Sequence, residues 1–195
     1  SVFQPTWLNS KEIVVVSDIT GWWNLVKINI ENYEKSGVSF SIIFNVKSEL
    51  GLPQWVSGMS TLSITDGKIL CLACEQATWK LFTLEKNGIA KKIDLPFDQL
   101  SDLKIDKNKI VAIASNPSCE PGLIEVDIQN STYSYQSPRK IMFQENGVSK
   151  GKPFYFKGFN DQVTHSWYYS PLKFNNKFRP LLVKAHSGPT SMADN

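Results

Sequence analysis

The sequence contains few of the residues on which many catalytic and nucleic-acid-binding sites depend. Its 195 residues include two histidines, three cysteines and only the arginines Arg139 and Arg179. The net charge of +3 comes mainly from lysines scattered among acids, whereas a nucleic-acid-binding surface usually gathers basic residues, with arginine, on one face. No stretch approaches the roughly 20 apolar residues of a membrane helix. We therefore expect a protein that binds neither nucleic acid nor a membrane.

The first residues, Ser1–Pro5, have neither the basic start nor the apolar core of a signal peptide, and they include no initiator Met. This indicates a piece cut from within a longer protein. Cys71 and Cys74 form an isolated C-x-x-C without a second pair or a nearby histidine. In a strand this odd separation sends the two side chains to opposite faces, so we expect no metal site and no cofactor. Unpaired thiols fit a reducing compartment, which favours a cytoplasmic location.

Short β-branched and aromatic runs dominate the sequence that is present. Runs of this kind are typical of strands. They cover residues 13–16, 23–30, 39–44, 69–73, 79–84, 110–114 and 123–128. Turn signals such as Asp66-Gly67, Asn116-Pro117 and Pro121-Gly122 separate them. No long helical pattern occurs and residues 95–104 are ambiguous, so the fold class is predicted to be all-β.

The strands follow a repeating order. Pro5-Thr6-Trp7 recurs as Pro53-Gln54-Trp55, and each copy is followed by a β-branched strand and then by an aromatic-led strand. A weaker third copy starts near Leu100 and ends with a possible fourth strand at residues 131–135. A four-stranded unit of about 40 to 50 residues is the size of a β-propeller blade. Residues 1–140 are therefore predicted to form about three blades of a partial propeller, and a plain β-sandwich is the alternative.

The last part of the chain has a different pattern. Residues 154–159 and 162–169 flank a turn at Asn160-Asp161 and predict a hairpin, and a polar link follows at 171–178. Leu181–Ala185 reads as a short buried strand that runs into His186-Ser187-Gly188-Pro189. An apolar strand that stops at such a turn is where α/β hydrolases place a reactive loop. Residues 141–195 are therefore predicted to be a linker and the first strands of an α/β-hydrolase domain.

Three motifs, in order along the chain, resemble one peptidase family. Ser17–Leu25, SDITGWWNL, resembles the blade signature SD…GWxNL, and Pro53–Gly58, PQWVSG, resembles PQWxxG. Pro180–Thr190, PLLVKAHSGPT, resembles the segment PPLIVxxHGGPT that opens the hydrolase domain. The sequence thus resembles the acylaminoacyl-peptidase and dipeptidyl-aminopeptidase-like branch of the prolyl oligopeptidase family of serine peptidases.

The resemblance implies a propeller that covers an α/β-hydrolase domain and admits only short peptides. The family's Ser-Asp-His triad lies downstream of the matched motifs, so no catalytic residue is expected in this chain, and the chain alone is expected to be inactive. The longer enzyme would hydrolyse short or acylated peptides. His186, Ser187, Gly188 and Pro189 match the loop that supplies one N–H of the oxyanion hole, from Gly188 or Ser187. Ser187 replaces a family glycine, which matters if that position needs a positive φ.

Two further features leave alternatives open. Trp22 and Trp23 either face a peptide tunnel or belong to the blade core. Gly147-Val148-Ser149-Lys150-Gly151 matches the nucleophile motif G-x-S-x-G. A nucleophile elbow follows a buried strand and opens a helix, whereas a strand-like run follows Ser149, so we interpret Ser149 as a loop serine.

Other functions remain possible at this point. The alternatives to a peptidase fragment are a non-catalytic propeller-like binding module and a relative of esterases or lipases. A partial propeller would also expose one blade face, through which we expect the chain to form a homo-oligomer.

Overall fold

The structure, a computed structural model, describes residues 1–53, 55–85, 88–138, 147–173, 178–186, 188 and 192–193. The helical elements described are the four-residue helix α1 (Tyr33–Ser36) and a 3₁₀ turn at Phe159–Asp161, and Gly147 also has a 3₁₀ backbone. The strands are β1 (Val2–Trp7), β2 (Glu12–Ser17), β3 (Asn24–Asn29), β4 (Ser39–Phe44), β5 (Leu62–Thr65), β6 (Lys68–Glu75), β7 (Thr78–Leu84), β8 (Ala90–Ile93), β9 (Gln99–Asp106), β10 (Lys109–Asn116), β11 (Cys119–Asp127), β12 (Thr132–Gln136), β13 (Gly151–Lys157) and β14 (Val163–Tyr169). The prediction of a nearly all-β chain is confirmed.

The strands form three four-stranded antiparallel sheets and one hairpin. Sheet 1 has the order β1-β2-β3-β4, sheet 2 the order β5-β6-β7-β8, and sheet 3 the order β12-β11-β10-β9, while β13 pairs with β14. Consecutive strands are therefore neighbours, as short loops between antiparallel strands require. The turn at Asp66-Gly67 has positive φ values of 47° and 72°, the backbone of a tight hairpin turn that Asp-Gly favours.

Two apolar cores lie between the sheets. The first contains Val14, Val16 and Leu25 of sheet 1 together with residues of sheet 2. The second contains Ile110 and Ile124 of sheet 3 together with other residues of sheet 2. Sheet 2 is therefore covered on both faces, as a blade is when it stands between two neighbours.

Strand β6 shows why sheet 2 has two buried faces. Ile69, Cys71 and Ala73 belong to the first core, and Leu70, Leu72 and Cys74 belong to the second. Successive side chains alternate between faces in a strand, so a continuous apolar run is needed to serve both cores. The prediction that Cys71 and Cys74 point to opposite faces is confirmed, and no disulfide links the cysteines.

Polar contacts join the first strands of the three sheets. The Gln4 amide nitrogen donates to the Ser60 hydroxyl at 3.0 Å and to the Leu62 carbonyl at 2.8 Å. The Gln4 amide oxygen accepts from the Thr61 N–H at 3.0 Å. On the other side, the Leu103 N–H donates to the Ser60 carbonyl at 3.2 Å. Gln4 lies in a bulge of β1 and has a φ of 53°, which turns its side chain out of the sheet's regular alternation.

One sequence prediction about the sheets needs correction, and one ambiguous segment is resolved. Pro5-Thr6-Trp7 lies within β1, but Pro53 and Trp55 lie before β5, and Gln54 is outside the described residues. The two motifs therefore occupy different positions in their sheets. The position of a first strand is set by its pairing with the second strand, and the Pro-x-Trp residues do not determine that pairing. The ambiguous segment at residues 95–104 contains the first six of the eight residues of β9, where a bulge with a φ of 54° at Asp102 breaks the regular alternation.

A second correction concerns Leu181–Ala185, for which the sequence predicts a buried strand. These residues have no regular secondary structure, and the side chains of Leu181, Leu182 and Val183 are 77%, 92% and 80% exposed. A short apolar run becomes a strand only when neighbouring strands satisfy its backbone groups, and no described strand pairs with it. The hydrolase part of the fold prediction is therefore not seen. The predicted hairpin is confirmed as β13–β14, whereas the predicted boundary at residues 140–141 lies outside the described residues.

Candidate functional site

One end of the sheets carries Trp22 and Trp23, two of the predicted site residues, and we call it the loop end. It comprises the β2–β3 loop, the β6–β7 turn, the β10–β11 turn and the segments that touch them. Glu49, which precedes sheet 2, forms a backbone bridge with Cys74 at the end of β6. The Gln99 amide at the start of β9 donates to the Ala77 carbonyl of the β6–β7 turn. These contacts hold the loops of the three sheets side by side.

Trp23 is fixed by the residues that lead into sheet 2. Its N–H donates to a Glu49 carboxylate oxygen at 3.0 Å, and its carbonyl accepts from the Leu50 N–H at 2.9 Å. The ring meets Phe3 edge to face, with 5.5 Å between ring centroids, and packs against the first core. Gly51 leaves the room that the ring occupies, because a Cβ there would lie 2.6 Å from Trp23 Cγ. Trp23 is therefore partly buried against the first core, the packing expected by one of the two interpretations that its sequence allowed.

Trp22 differs from its neighbour. Its side chain is 38% exposed, and its carbonyl accepts from the Thr20 hydroxyl at 3.1 Å. Gly21, with a φ of 85°, makes the turn that places Trp22 in the loop. A half-exposed indole on this end can stack on a ligand, so its role in facing a substrate stays a prediction.

The C-terminal segment returns to the loop end. The Trp167 indole N–H of β14 donates to the Ala193 carbonyl at 2.8 Å. The Cys74 thiol lies 3.6 Å from the Met192 sulfur, and Met192 packs against the second core. The residues just after the His186 loop are thus held between the hairpin and sheet 2.

The predicted oxyanion loop is only partly described. His186 is exposed and lies in irregular backbone, and Gly188 has a φ of 73°. Ser187 and Pro189 lie outside the described residues. A positive φ favours glycine, so the glycine at position 188 suits the backbone conformation there. The role of all four residues stays a prediction.

Ser149 lacks the setting of a nucleophile. It precedes β13 rather than a helix, and its hydroxyl donates to the Ser170 carbonyl at 2.5 Å. That bond occupies the hydroxyl hydrogen in closing the base of the hairpin. The structure therefore gives Ser149 a local structural role, in agreement with its interpretation as a loop serine.

His165 sits in an aromatic setting on the hairpin. Its ring lies 5.2 Å from Tyr155 and 4.9 Å from Trp167, between ring centroids. Its Nε2 is shielded from solvent and has no hydrogen-bond partner. A general base needs a nucleophile within hydrogen-bond reach and an acid that orients it, and no hydrogen bond joins His165 to Ser149 in the described chain. This pair does not form a catalytic dyad.

A small polar pocket at the loop end was not anticipated from the sequence. It has a volume of about 190 Å³ and is lined by Asp98, Asn116, Pro117, Ser118, Lys150 and Gly151. The pocket lies where the β10–β11 turn of sheet 3 meets the start of β13. Asn116-Pro117 was recognised as a turn, but the approach of Lys150, more than thirty residues later, depends on the tertiary fold and leaves no local signal.

Metal and membrane sites can be assessed for part of the chain. Within the ranges that the structure covers, no group of three or more His, Cys, Asp or Glu side chains could hold a metal ion. No helix among those same residues has the length and apolar character needed to cross a membrane.

Comparison with known proteins relates this architecture to peptidases. No family model matches the sequence, and no curated protein matches it. Solved structures do match: a puromycin-hydrolysing peptidase of Mycobacterium tuberculosis has a TM-score of 0.77 at 18% identity, over 88% of this chain and 26% of that one. A puromycin hydrolase has a TM-score of 0.74 at 18% identity, over 87% of this chain and 25% of that one. Prolyl oligopeptidase B from Galerina marginata has a TM-score of 0.66 at 5% identity, over 85% and 23% of the two chains.

The chain has the fold of the propeller region of prolyl oligopeptidase-type peptidases. The resemblance noted in the three sequence motifs is thus matched by an independent similarity in three dimensions. The chain spans about a quarter of the length of these neighbours. The activity of a whole enzyme is therefore a matter for proposal.

Proposed function

We propose that this chain is the propeller and junction part of a serine peptidase that hydrolyses short or acylated peptides. The observation that carries the proposal is the match of three consecutive four-stranded sheets to the propeller region of such peptidases, over 88% of the chain. The ordered motifs at residues 17–25, 53–58 and 180–190 support the same assignment. The catalytic serine, acid and base would lie in parts of the enzyme outside this chain, which alone would be inactive.

In this proposal residues 1–140 are blades and residues 141–195 are the linker and the beginning of the hydrolase domain. The blades restrict access so that short peptides reach the catalytic centre and folded proteins do not. The packing of sheet 2 between two apolar cores supports a rigid wall of this kind, since close-packed interiors deform little. Trp22 would face the entering peptide. We place the enzyme in the cytoplasm, where the thiol of the buried Cys71 stays reduced.

The loop at residues 186–189 would donate one N–H to the oxyanion of the tetrahedral intermediate. The positive φ of Gly188 supports this role, because such a backbone can aim an N–H where a regular strand cannot. Loss of one oxyanion donor typically costs about 2.7–4 kcal/mol of barrier. Alanine keeps the N–H but disfavours the positive φ that aims it, so in the full-length enzyme Gly188→Ala should lower kcat by up to about a hundredfold with little change in KM. An unchanged kcat would remove residues 186–189 from the mechanism.

The experiment that tests the function compares the full-length enzyme with this chain on acyl-alanine and aminoacyl nitroanilides. The full-length enzyme should hydrolyse them and this chain should not. Ser149→Ala in the full-length enzyme is the matched control and should leave the rate intact, because the Ser149 hydroxyl is bonded to Ser170. A full-length protein without peptidase activity, and without a Ser-Asp-His set after residue 195, would contradict the proposal.

A non-catalytic binding module is the second candidate. The observation that favours it is the absence of regular structure at Leu181–Ala185 in the described chain, where a hydrolase would have a paired strand. This candidate predicts that the full-length protein binds peptides without cleaving them. The same nitroanilide assay, with peptide binding followed in parallel, separates the two functions.

A further inference from the structure

The polar pocket at the loop end is lined by two residues of opposite charge. Asp98 lines it from the segment before β9, and Lys150 lines it from the residue before β13. Neither side chain forms an ion pair or a hydrogen bond within the described part of the chain, and they do not pair with each other. Other charged groups on these sheets do have partners, as in the Lys109–Glu125 pair at 2.8 Å. The pocket therefore brings an anion and a cation together and leaves both available to a ligand.

The pocket has a fixed frame. The Asp98 backbone is held on both sides, since its N–H donates to the Ser115 carbonyl at 3.1 Å and its carbonyl accepts from the Trp79 N–H at 2.8 Å. The Asn116 amide donates to the Pro96 carbonyl at 2.7 Å, and its oxygen accepts from the Ser118 N–H at 2.8 Å. These bonds use the Asn116 side chain to hold the turn in place. A site whose frame is already ordered loses less entropy when a ligand binds.

The size and chemistry of the pocket define a ligand class. A volume of about 190 Å³ is below the roughly 300–1,000 Å³ of pockets that enclose drug-sized molecules, so the ligand is small. A carboxylate attracts an ammonium group, and a lysine attracts a carboxylate. The Ser118 side chain forms no hydrogen bond within the described residues, and its hydroxyl can donate to or accept from a ligand.

We propose that this pocket binds a small zwitterion that carries both an ammonium and a carboxylate group, namely a free amino acid or a dipeptide. Asp98 takes the ammonium group and Lys150 takes the carboxylate. Where it names short peptides as ligands of a peptidase, the inference rests on the proposed function. Binding itself is a property of this chain and is measured without any cleavage step.

The test is a titration of this chain with glycylglycine, followed by ¹H–¹⁵N NMR shifts. We expect saturable shifts at Asp98, Ser118 and Gly151 with a Kd on the order of 1–10 mM, as suits a small and partly open site. N-acetyl-glycylglycine lacks the ammonium group and glycylglycine amide lacks the carboxylate. Each should bind at least about fivefold more weakly, because one charge-assisted contact is lost.

Two pairs of variants locate the site. Asp98→Asn and Lys150→Gln should each weaken glycylglycine binding at least about fivefold. Asp102→Asn and Lys152→Gln, which change the same charges outside the pocket, should leave binding unchanged. A spectrum with the wild-type dispersion of peaks checks that each variant is folded.

Three results would overturn the inference: no saturable shift up to about 50 mM glycylglycine, equal binding of the acetylated dipeptide, or equal weakening by the control variants. The outcome is independent of the peptidase assay. A full-length enzyme without activity would contradict the proposed function and leave a positive titration standing, and an active enzyme with an empty pocket would contradict only the inference.

Discussion

Gly51 gives the most direct test of how sheet 1 is locked to sheet 2. A Cβ at this position would lie 2.6, 2.8 and 3.0 Å from the Cγ, Cδ1 and Cβ of Trp23. Real contacts of this kind are never so short, so the Trp23 ring would have to move. The ring cannot move freely, because it packs against Phe3 and the first core. The Trp23 backbone is also held, by its bonds to the Glu49 carboxylate and the Leu50 N–H.

We expect Gly51→Ala to destabilise the chain by about 1–2 kcal/mol. Overpacking a filled core costs about 1–3 kcal/mol, and the lower entropy of the unfolded alanine chain returns about 0.4–1 kcal/mol. For a chain of this size each kcal/mol corresponds to about 2–4 °C in Tm. Urea unfolding followed by circular dichroism measures the change as a lower midpoint at constant m-value.

Gly147→Ala is the matched control. A Cβ there would meet no heavy atom within 4 Å, and Gly147 has no positive φ, so this variant should be neutral or slightly stabilising. In a Trp23→Leu background the smaller side chain relieves the clash, and the cost of Gly51→Ala should fall below about 0.5 kcal/mol. Equal stability of Gly51→Ala and Gly147→Ala in the wild-type background would refute the packing described for Trp23.

Two further predictions concern buried polar groups. Gln4→Ala should lower the free energy of unfolding in urea by about 1–3 kcal/mol, because it leaves the N–H of the almost fully buried Thr61 without its partner. The control Gln162→Ala lies on the exposed hairpin turn and should cost almost nothing. Equal costs would contradict the role of Gln4 in joining sheet 1 to sheet 2. Burial raises the pKa of the Cys71 thiol far above its ordinary value. Above about pH 8.5 the unfolded chain therefore loses this proton while the folded chain keeps it. The free energy of unfolding should then fall by up to about 1.4 kcal/mol per pH unit. Cys71→Ala should remove this part of the slope between pH 9 and 10.5 in urea unfolding, and an unchanged slope would mean that the thiol is accessible in the folded state.

Much of the sheet structure could be predicted from the sequence because its signals are local. The apolar runs at residues 39–44, 69–73 and 79–84 lie within strands, and Asp66-Gly67 forms the tight turn that its residue types favour. The double-faced burial of β6 followed from an apolar run without alternation. These features depend on neighbours a few residues away.

The errors arose where structure depends on distant partners. Strand β9 was ambiguous because Asp102 bulges and charged residues interrupt its apolar pattern. Leu181–Ala185 has the composition of a strand but no described neighbour to pair with. The likeness between Pro5-Thr6-Trp7 and Pro53-Gln54-Trp55 was a match of residue types without a match of strand pairing.

The candidate site was less predictable than the fold. The sequence identified Trp22, Trp23 and the His186 loop, and the structure brings the Trp pair and the end of the C-terminal segment to the same end of the sheets. The sequence could not show that the Trp23 ring packs directly on Gly51, or that Asp98 and Lys150 line one pocket. Those relations join residues that only tertiary folding brings together.

The most direct test of the central claim is labelling with a fluorophosphonate probe, which reacts with activated serines, on this chain and on the full-length enzyme side by side. The account predicts one adduct on the full-length enzyme, at a serine after residue 195, and no adduct on this chain. An adduct at Ser149 in this chain would contradict it, because that hydroxyl would then be an activated nucleophile instead of a donor to the Ser170 carbonyl.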